Sequence, residues 1–93
     1  MDVKCLRMNT GEEVIFTCIE ETEEYIEVEN ALAAIPNGQS IGFAPWSAIV
    51  RNGETIKIPK SYVVYVAEPQ DEVAENYQKL FSTIATPSKK LIL

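Results

Sequence analysis

The stretch Ile56-Lys57-Ile58-Pro59-Lys60-Ser61-Tyr62-Val63-Val64-Tyr65-Val66-Ala67-Glu68-Pro69 limits most strongly what this chain can fold into. It is rich in β-branched and aromatic residues, pinched at Pro59-Lys60 and closed by Pro69. Such a run reads as a short strand, a tight kink and a second strand. Two strands alone are marginal in water, so the remainder of the chain has to supply a sheet for them to complete.

The preceding residues supply strands in order. Val3 to Met8 reads as the first, ended by the turn residues Asn9-Thr10-Gly11. Glu12 to Glu20 reads as the second, with Val14, Phe16 and Cys18 on one side and Ile15 and Ile19 on the other. Both faces carry apolar residues, so both are expected to be covered. Tyr25 to Ile35 reads as the third, with Ile26, Val28, Asn30, Leu32 and Ala34 on one side. Asn30 breaks that row as either a satisfied polar residue facing the core or an amide facing a ligand. After the loop Pro36 to Ser40 comes Ile41 to Trp46, whose internal Pro45 points to an edge, an end or a bulge. Trp46, the single tryptophan, is read as packed or in a subunit contact, with base stacking as the other reading. Arg51-Asn52-Gly53-Glu54 reads as a second turn.

Beyond Pro69 the period changes. Val73, Tyr77, Leu80, Phe81 and Ile84 form an apolar stripe on a helix from about Gln70 to Ile84. Asp71, Glu72 and Glu75 early and Lys79 late match the helix dipole, and Glu75 and Lys79 are spaced to pair. The stripe has to bury against this chain's own sheet or against a neighbour, and the sequence leaves both open. The expected division is a β domain over 1–69, a helix over 70–85 and a tail over 86–93, whose Leu91-Ile92-Leu93 end either docks or frays.

Chemistry is sparse. With no histidine, the commonest metal ligand and neutral-pH general base are missing. No Gly-rich phosphate loop or nucleophile–base pair is visible, so no catalytic residue, metal ligand or cofactor is expected. The acidic run Glu20-Glu21-Thr22-Glu23-Glu24 lacks the Asp/Asn spacing and glycine of a calcium loop and reads as a solvated turn. Cys5 and Cys18 are expected reduced and buried, consistent with a cytoplasmic protein. No segment suits a membrane span. The net charge of −6 opposes phosphate binding by the chain as a whole, so any nucleic-acid contact needs basic residues gathered on one surface.

Five short, strongly bent strands suit closure into a small barrel. The order of features resembles the Sm/LSm-like family, and within it the small Sm-like proteins of tailed phages, including cyanophages. The resemblance covers roughly residues 3–84. It rests on Leu6-x-Met8-x-x-Gly11 and Asn30-x-Leu32 for the first motif and on Ile58 to Val66 for the second. Ala44-Pro45-Trp46, the run Tyr62 to Pro69, and the helix with Tyr77 and Phe81 add to it. The chain departs from the family in having Pro59-Lys60 in place of an Arg-Gly pair, no clear match to the first motif's Asp, and a helix at the C-terminal rather than the N-terminal side.

The resemblance implies a strongly bent, five-stranded, SH3-like barrel with a C-terminal helix, paired edge to edge into a cyclic homo-oligomer of five to seven subunits. It implies an interface through Phe43, Trp46, Val63, Val64, Tyr65 and Val66. Single-stranded RNA would meet Asn30, Lys60, Ser61 and Tyr62 at a central pore, giving an RNA-binding or RNA-processing accessory role. The alternative is an oligomeric protein-interaction scaffold without RNA, which the acidity and the missing Arg-Gly pair favour.

Overall fold

A computed structural model describes residues 1–51 and 53–85, except for the side chains of 82–85. Asn52, the side chain of Ile84 and the tail over 86–93 therefore lie outside the described residues. The chain forms one antiparallel sheet followed by a helix. The strands are β1 (Val3–Met8), β2 (Glu13–Glu21), β3 (Tyr25–Asn37), β4 (Ser40–Pro45), β5 (Thr55–Pro59) and β6 (Val63–Ala67). The helix α1 spans Asp71–Ala85. The Ile56–Pro69 stretch yields the two strands its kink predicts, divided by a single 3₁₀ turn, Lys60–Tyr62, where Pro59 removes a ladder donor, so the described residues hold six strands rather than the five of the expected barrel.

Along the sheet the order is β4-β3-β2-β1-β6, and β5 also pairs with β3. The long β3 thus serves two partners on one edge: β5 against Tyr25 to Glu29, and β4 against Leu32 to Asn37. No ladder joins β5 to β6, so the sheet is open there. It nevertheless bends around one core. Leu6, Val14, Phe16, Ile26, Val28 and Ile58 are buried together, with Val63 and Val66 packed against them. The opposite face is covered by α1, where Val3, Ile15 and Tyr77 are buried with Leu32, Phe43, Val73 and Phe81 around them. Strand β2 is consequently apolar on both sides because it divides two cores, and the helix packs on its own chain.

Three irregularities reset the alternation. Opposite Phe16, β3 carries an extra residue between Glu29 and Leu32, and Asn30 takes a left-handed backbone there at φ 54°. Asn tolerates that region better than most residues. The bulge moves Leu32 to the helix side, so Asn30 and Leu32 do not continue the row of Ile26 and Val28. An extra residue in β2 between Cys18 and Glu20 turns Ile19 to solvent. A third shift, where Arg7 and Met8 meet Tyr65 and Val63, leaves Val64 61% exposed.

The helix contact is narrower than the sequence stripe. Val73, Ala74, Tyr77 and Phe81 meet the sheet, whereas Leu80 on the flank stays half exposed. Asp71 and Glu72 occupy the first turn, but Lys79 lies before the last one. Ion pairs among the described residues are Lys4–Glu21, Lys60–Glu21 and Arg7–Glu13, and the expected Glu75–Lys79 pair is not among them. Cys5 and Cys18 are free thiols on opposite faces of the sheet: Cys18 packs on the inner core, while the Cys5 thiol donates to the Ala67 carbonyl at 3.4 Å.

Candidate functional site

The four residues expected at an RNA pore do not form one cluster within a subunit. The ladder of β3 with β5 runs from Tyr25 opposite Pro59 to Glu29 opposite Thr55. Asn30 lies just past one end of it and Lys60, level with Glu24, just past the other, six residues or roughly 20 Å apart at ~3.3 Å per residue. Two separate sites result.

The first is the 3₁₀ turn seated against the acidic hairpin turn between β2 and β3. The Thr22 hydroxyl accepts from the amides of Glu24 and Tyr25, each at 3.1 Å, which fixes the turn. The Lys60 amide donates to the Glu24 carbonyl at 2.8 Å, and the Lys60 ammonium donates to the Glu21 carboxylate at 3.0 Å. Glu21 is shared with Lys4 at 3.5 Å. The hydrogen bond from Lys60 holds the Glu21 carboxyl below its ordinary pKa. Lys60 is thus already met by a carboxylate, and Glu23 and Glu24 are exposed beside it. Ser61 and Tyr62 are exposed, and the Tyr62 carbonyl accepts from Asn9 at 2.8 Å. One aromatic ring is offered to solvent, but the local charge is acidic. Glu21 was absent from the sequence-based site because nothing local signals that a β2 carboxylate lies beside the β5–β6 kink.

The second site is the bulge. The Tyr77 hydroxyl donates to the Asn30 carbonyl at 2.9 Å and lies 3.3 Å from the Glu29 carbonyl, with Thr17 Oγ1 at 3.0 Å. The carbonyl released by the bulge is therefore satisfied from the helix. Burial keeps Tyr77 a neutral phenol by raising its pKa. Asn30 also lines a cleft of about 150 Å³ with Trp46, Arg51, Glu54 and Phe81.

Of the expected interface residues, Phe43 packs under the helix, and Trp46, Val63 and Val66 pack on the inner core. Val64 and Tyr65 remain exposed on β6, whose outer edge has no partner strand among the described residues. Tyr65 is held in a cross-strand row: Arg7 sits opposite both Tyr65 and Glu13, its guanidinium 3.3 Å from the Glu13 carboxylate and 6.0 Å from the Tyr65 ring centre. The Tyr65 hydroxyl donates to that carboxylate at 3.1 Å.

No group of three or more His, Cys, Asp or Glu among the described residues is arranged to hold a metal ion. No described helix is long and apolar enough to cross a membrane. The chain matches no protein-family model and no curated protein.

Proposed function

We propose that this chain is an Sm-like barrel subunit of a cyclic homo-oligomer that serves as a protein-interaction scaffold and performs no catalytic step. The observation that carries the reading is the outer edge of β6, which pairs with no strand among the described residues and leaves Val64 61% and Tyr65 41% exposed. An exposed apolar edge is an aggregation hazard unless another strand covers it. The β5 edge, on the far side of the open seam, is the complementary surface. A head-to-tail β6-to-β5 contact closes into a ring when its rotation divides a full turn. The Glu13–Arg7–Tyr65 row supports the reading because it fixes an aromatic anchor before a partner arrives, which lowers the ordering cost of association.

The RNA-binding version of the same ring has less support, since Lys60 is neutralised by Glu21 and flanked by exposed carboxylates. Exposed Tyr62 is the feature in its favour. Native mass spectrometry at low and physiological salt, with and without uridine-rich and adenine-rich RNA, separates these readings. A closed oligomer indifferent to RNA is expected. A closed oligomer whose RNA affinity falls as salt rises would restore the RNA ring. A monomer at all concentrations would overturn both.

A further inference from the structure

We propose that the part of the sheet's outer face beside the start of α1 is a docking groove for an extended peptide segment that presents an aliphatic side chain between two Lys or Arg residues. The inference rests on the scaffold reading and names the partner held, and the groove is complete within one chain. Register places Cys5, Glu13, Ile15, Tyr65 and Ala67 on one face: Cys5 pairs with Ile15 and Ala67, and Arg7, two residues on, pairs with Glu13 and Tyr65. A hollow of about 280 Å³ lies between these residues and Val73 of α1, and Ala34 and Ile41 also line it. Ile41 is 45% exposed and Ala67 is exposed, so apolar surface stands open to water there. A second hollow of about 160 Å³, between β4 and α1, shares Ile41, Gln70 and Val73 with the first. Neither reaches the size of about 300 Å³ at which pockets begin to hold a whole drug-sized ligand. Adjoining hollows of this size suit successive side chains of one segment. In an extended peptide, side chains at i and i+2 point the same way, roughly 7 Å apart.

Charge decides which side chains fit. Glu13 and Glu68 line the first hollow and Glu72 lines the second, and no Lys or Arg lines either. The Glu13 carboxylate is already met by Arg7 at 3.3 Å and by the Tyr65 hydroxyl at 3.1 Å. Glu68 and Glu72 are exposed and belong to no ion pair among the described residues. Burial first, and then the charges of Glu13 and Glu68, raise the pKa of the Cys5 thiol, so both carboxylates act on the floor of the same hollow. Asp71 and Glu72, in the first turn of α1, offset the positive end of the helix dipole, which would otherwise oppose a cation. A Lys or Arg lays its stem along apolar surface and carries its charge out to such a rim. The aliphatic side chain between them covers Ile15, Ala34 and Val73. An acidic segment would meet like charge, and a wholly apolar one would leave both free carboxylates unused.

The probe is the capped peptide Lys-Ala-Leu-Ala-Lys, titrated into the full chain and followed through the Ala67 and Val73 amide signals in two-dimensional NMR. Saturable shifts are expected, with affinity falling as salt rises. The peptide with Ala in place of Leu should bind about ten-fold more weakly, and the one with Glu in place of both Lys should not bind. E68Q and E72Q should each weaken binding about three-fold, whereas E23Q, in the β2–β3 turn, should leave it unchanged. Native mass reads the ring separately. Saturable binding by a monomer would retire the ring and keep the groove, and a ring without saturable shifts would retire the groove and keep the ring. A fall in native mass on adding peptide would assign the groove to a second copy. About ten-fold tighter binding by the full chain carrying K89E with K90E would assign it to this chain's own Lys89-Lys90 segment. Either result overturns the proposal, as does equal binding by wild type, E68Q and E72Q.

Discussion

Replacing Tyr77 by Phe removes one oxygen atom and leaves the ring that fills the space between sheet and helix. The hydroxyl is the donor to the Asn30 carbonyl at 2.9 Å and the partner of Thr17 at 3.0 Å. The Phe ring still packs on Phe81, whose centroid lies 4.8 Å away, and no large cavity opens. The cost is therefore that of stranding a bulge carbonyl and the Thr17 hydroxyl in a covered site, about 1–3 kcal/mol. A chain of this length has a total stability of roughly 5–14 kcal/mol at ~0.05–0.15 kcal/mol per residue. A loss of about 2 kcal/mol lowers the melting temperature by roughly 8–16 °C, at ~4–8 °C per kcal/mol for a domain this small. Urea unfolding followed by circular dichroism should show an earlier midpoint at an unchanged slope. Thr17→Val should cost less, since Tyr77 keeps its carbonyl acceptor, and the double variant should fall short of the sum because the two hydroxyls share one network. A Tyr77→Phe variant within about 0.5 kcal/mol of wild type would refute the argument that the helix closes the bulge through this hydroxyl.

Four further outcomes follow from the same structure. Burial raises the Tyr77 pKa above its ordinary 10.0, so its neutral form favours the fold. The contribution of Tyr77 to stability is fully present below pH 10 and declines as pH rises beyond it, so the alkaline loss should be smaller in Tyr77→Phe, measured by urea midpoints across that range. Glu21 has the opposite sign: Lys60 lowers its folded pKa, so its contribution is present above the ordinary 4.5 and fades as pH falls below it. Glu21→Gln should flatten the acid limb while costing under about 1 kcal/mol near neutrality, because the pair is solvent-exposed. On β6, Val64→Lys should prevent the proposed ring from forming and leave the circular dichroism spectrum intact, whereas Val66→Asp should unfold the chain by placing a charge in the inner core; loss of folding in both would contradict the exposure of Val64. Finally, burial raises the pKa of both Cys5 and Cys18, so a thiol reagent should modify the folded chain slowly at neutral pH and the unfolded chain quickly.

Periodicity alone determined the elements of this protein. The alternation of Val14, Ile15 and Phe16, the kink at Pro59 and the spacing of Val73, Tyr77 and Phe81 are local signals, and each formed the strand or helix its period requires. The apolar character of both faces of β2 also foretold two covered sides. Local pattern does not report where a residue is inserted relative to a partner strand. The bulge at Asn30, the outward turn of Ile19 and the exposure of Val64 all depend on register against β2, β3 and β1, and only pairing in three dimensions sets register. The candidate site was less legible for the same reason. The resemblance groups Asn30 and Lys60 at one central pore, yet the ladder of β3 with β5 holds them at opposite ends within a subunit. Tertiary structure gave Lys60 its Glu21 and the Asn30 carbonyl its Tyr77, because those hydrogen bonds join residues 39 and 47 positions apart in sequence.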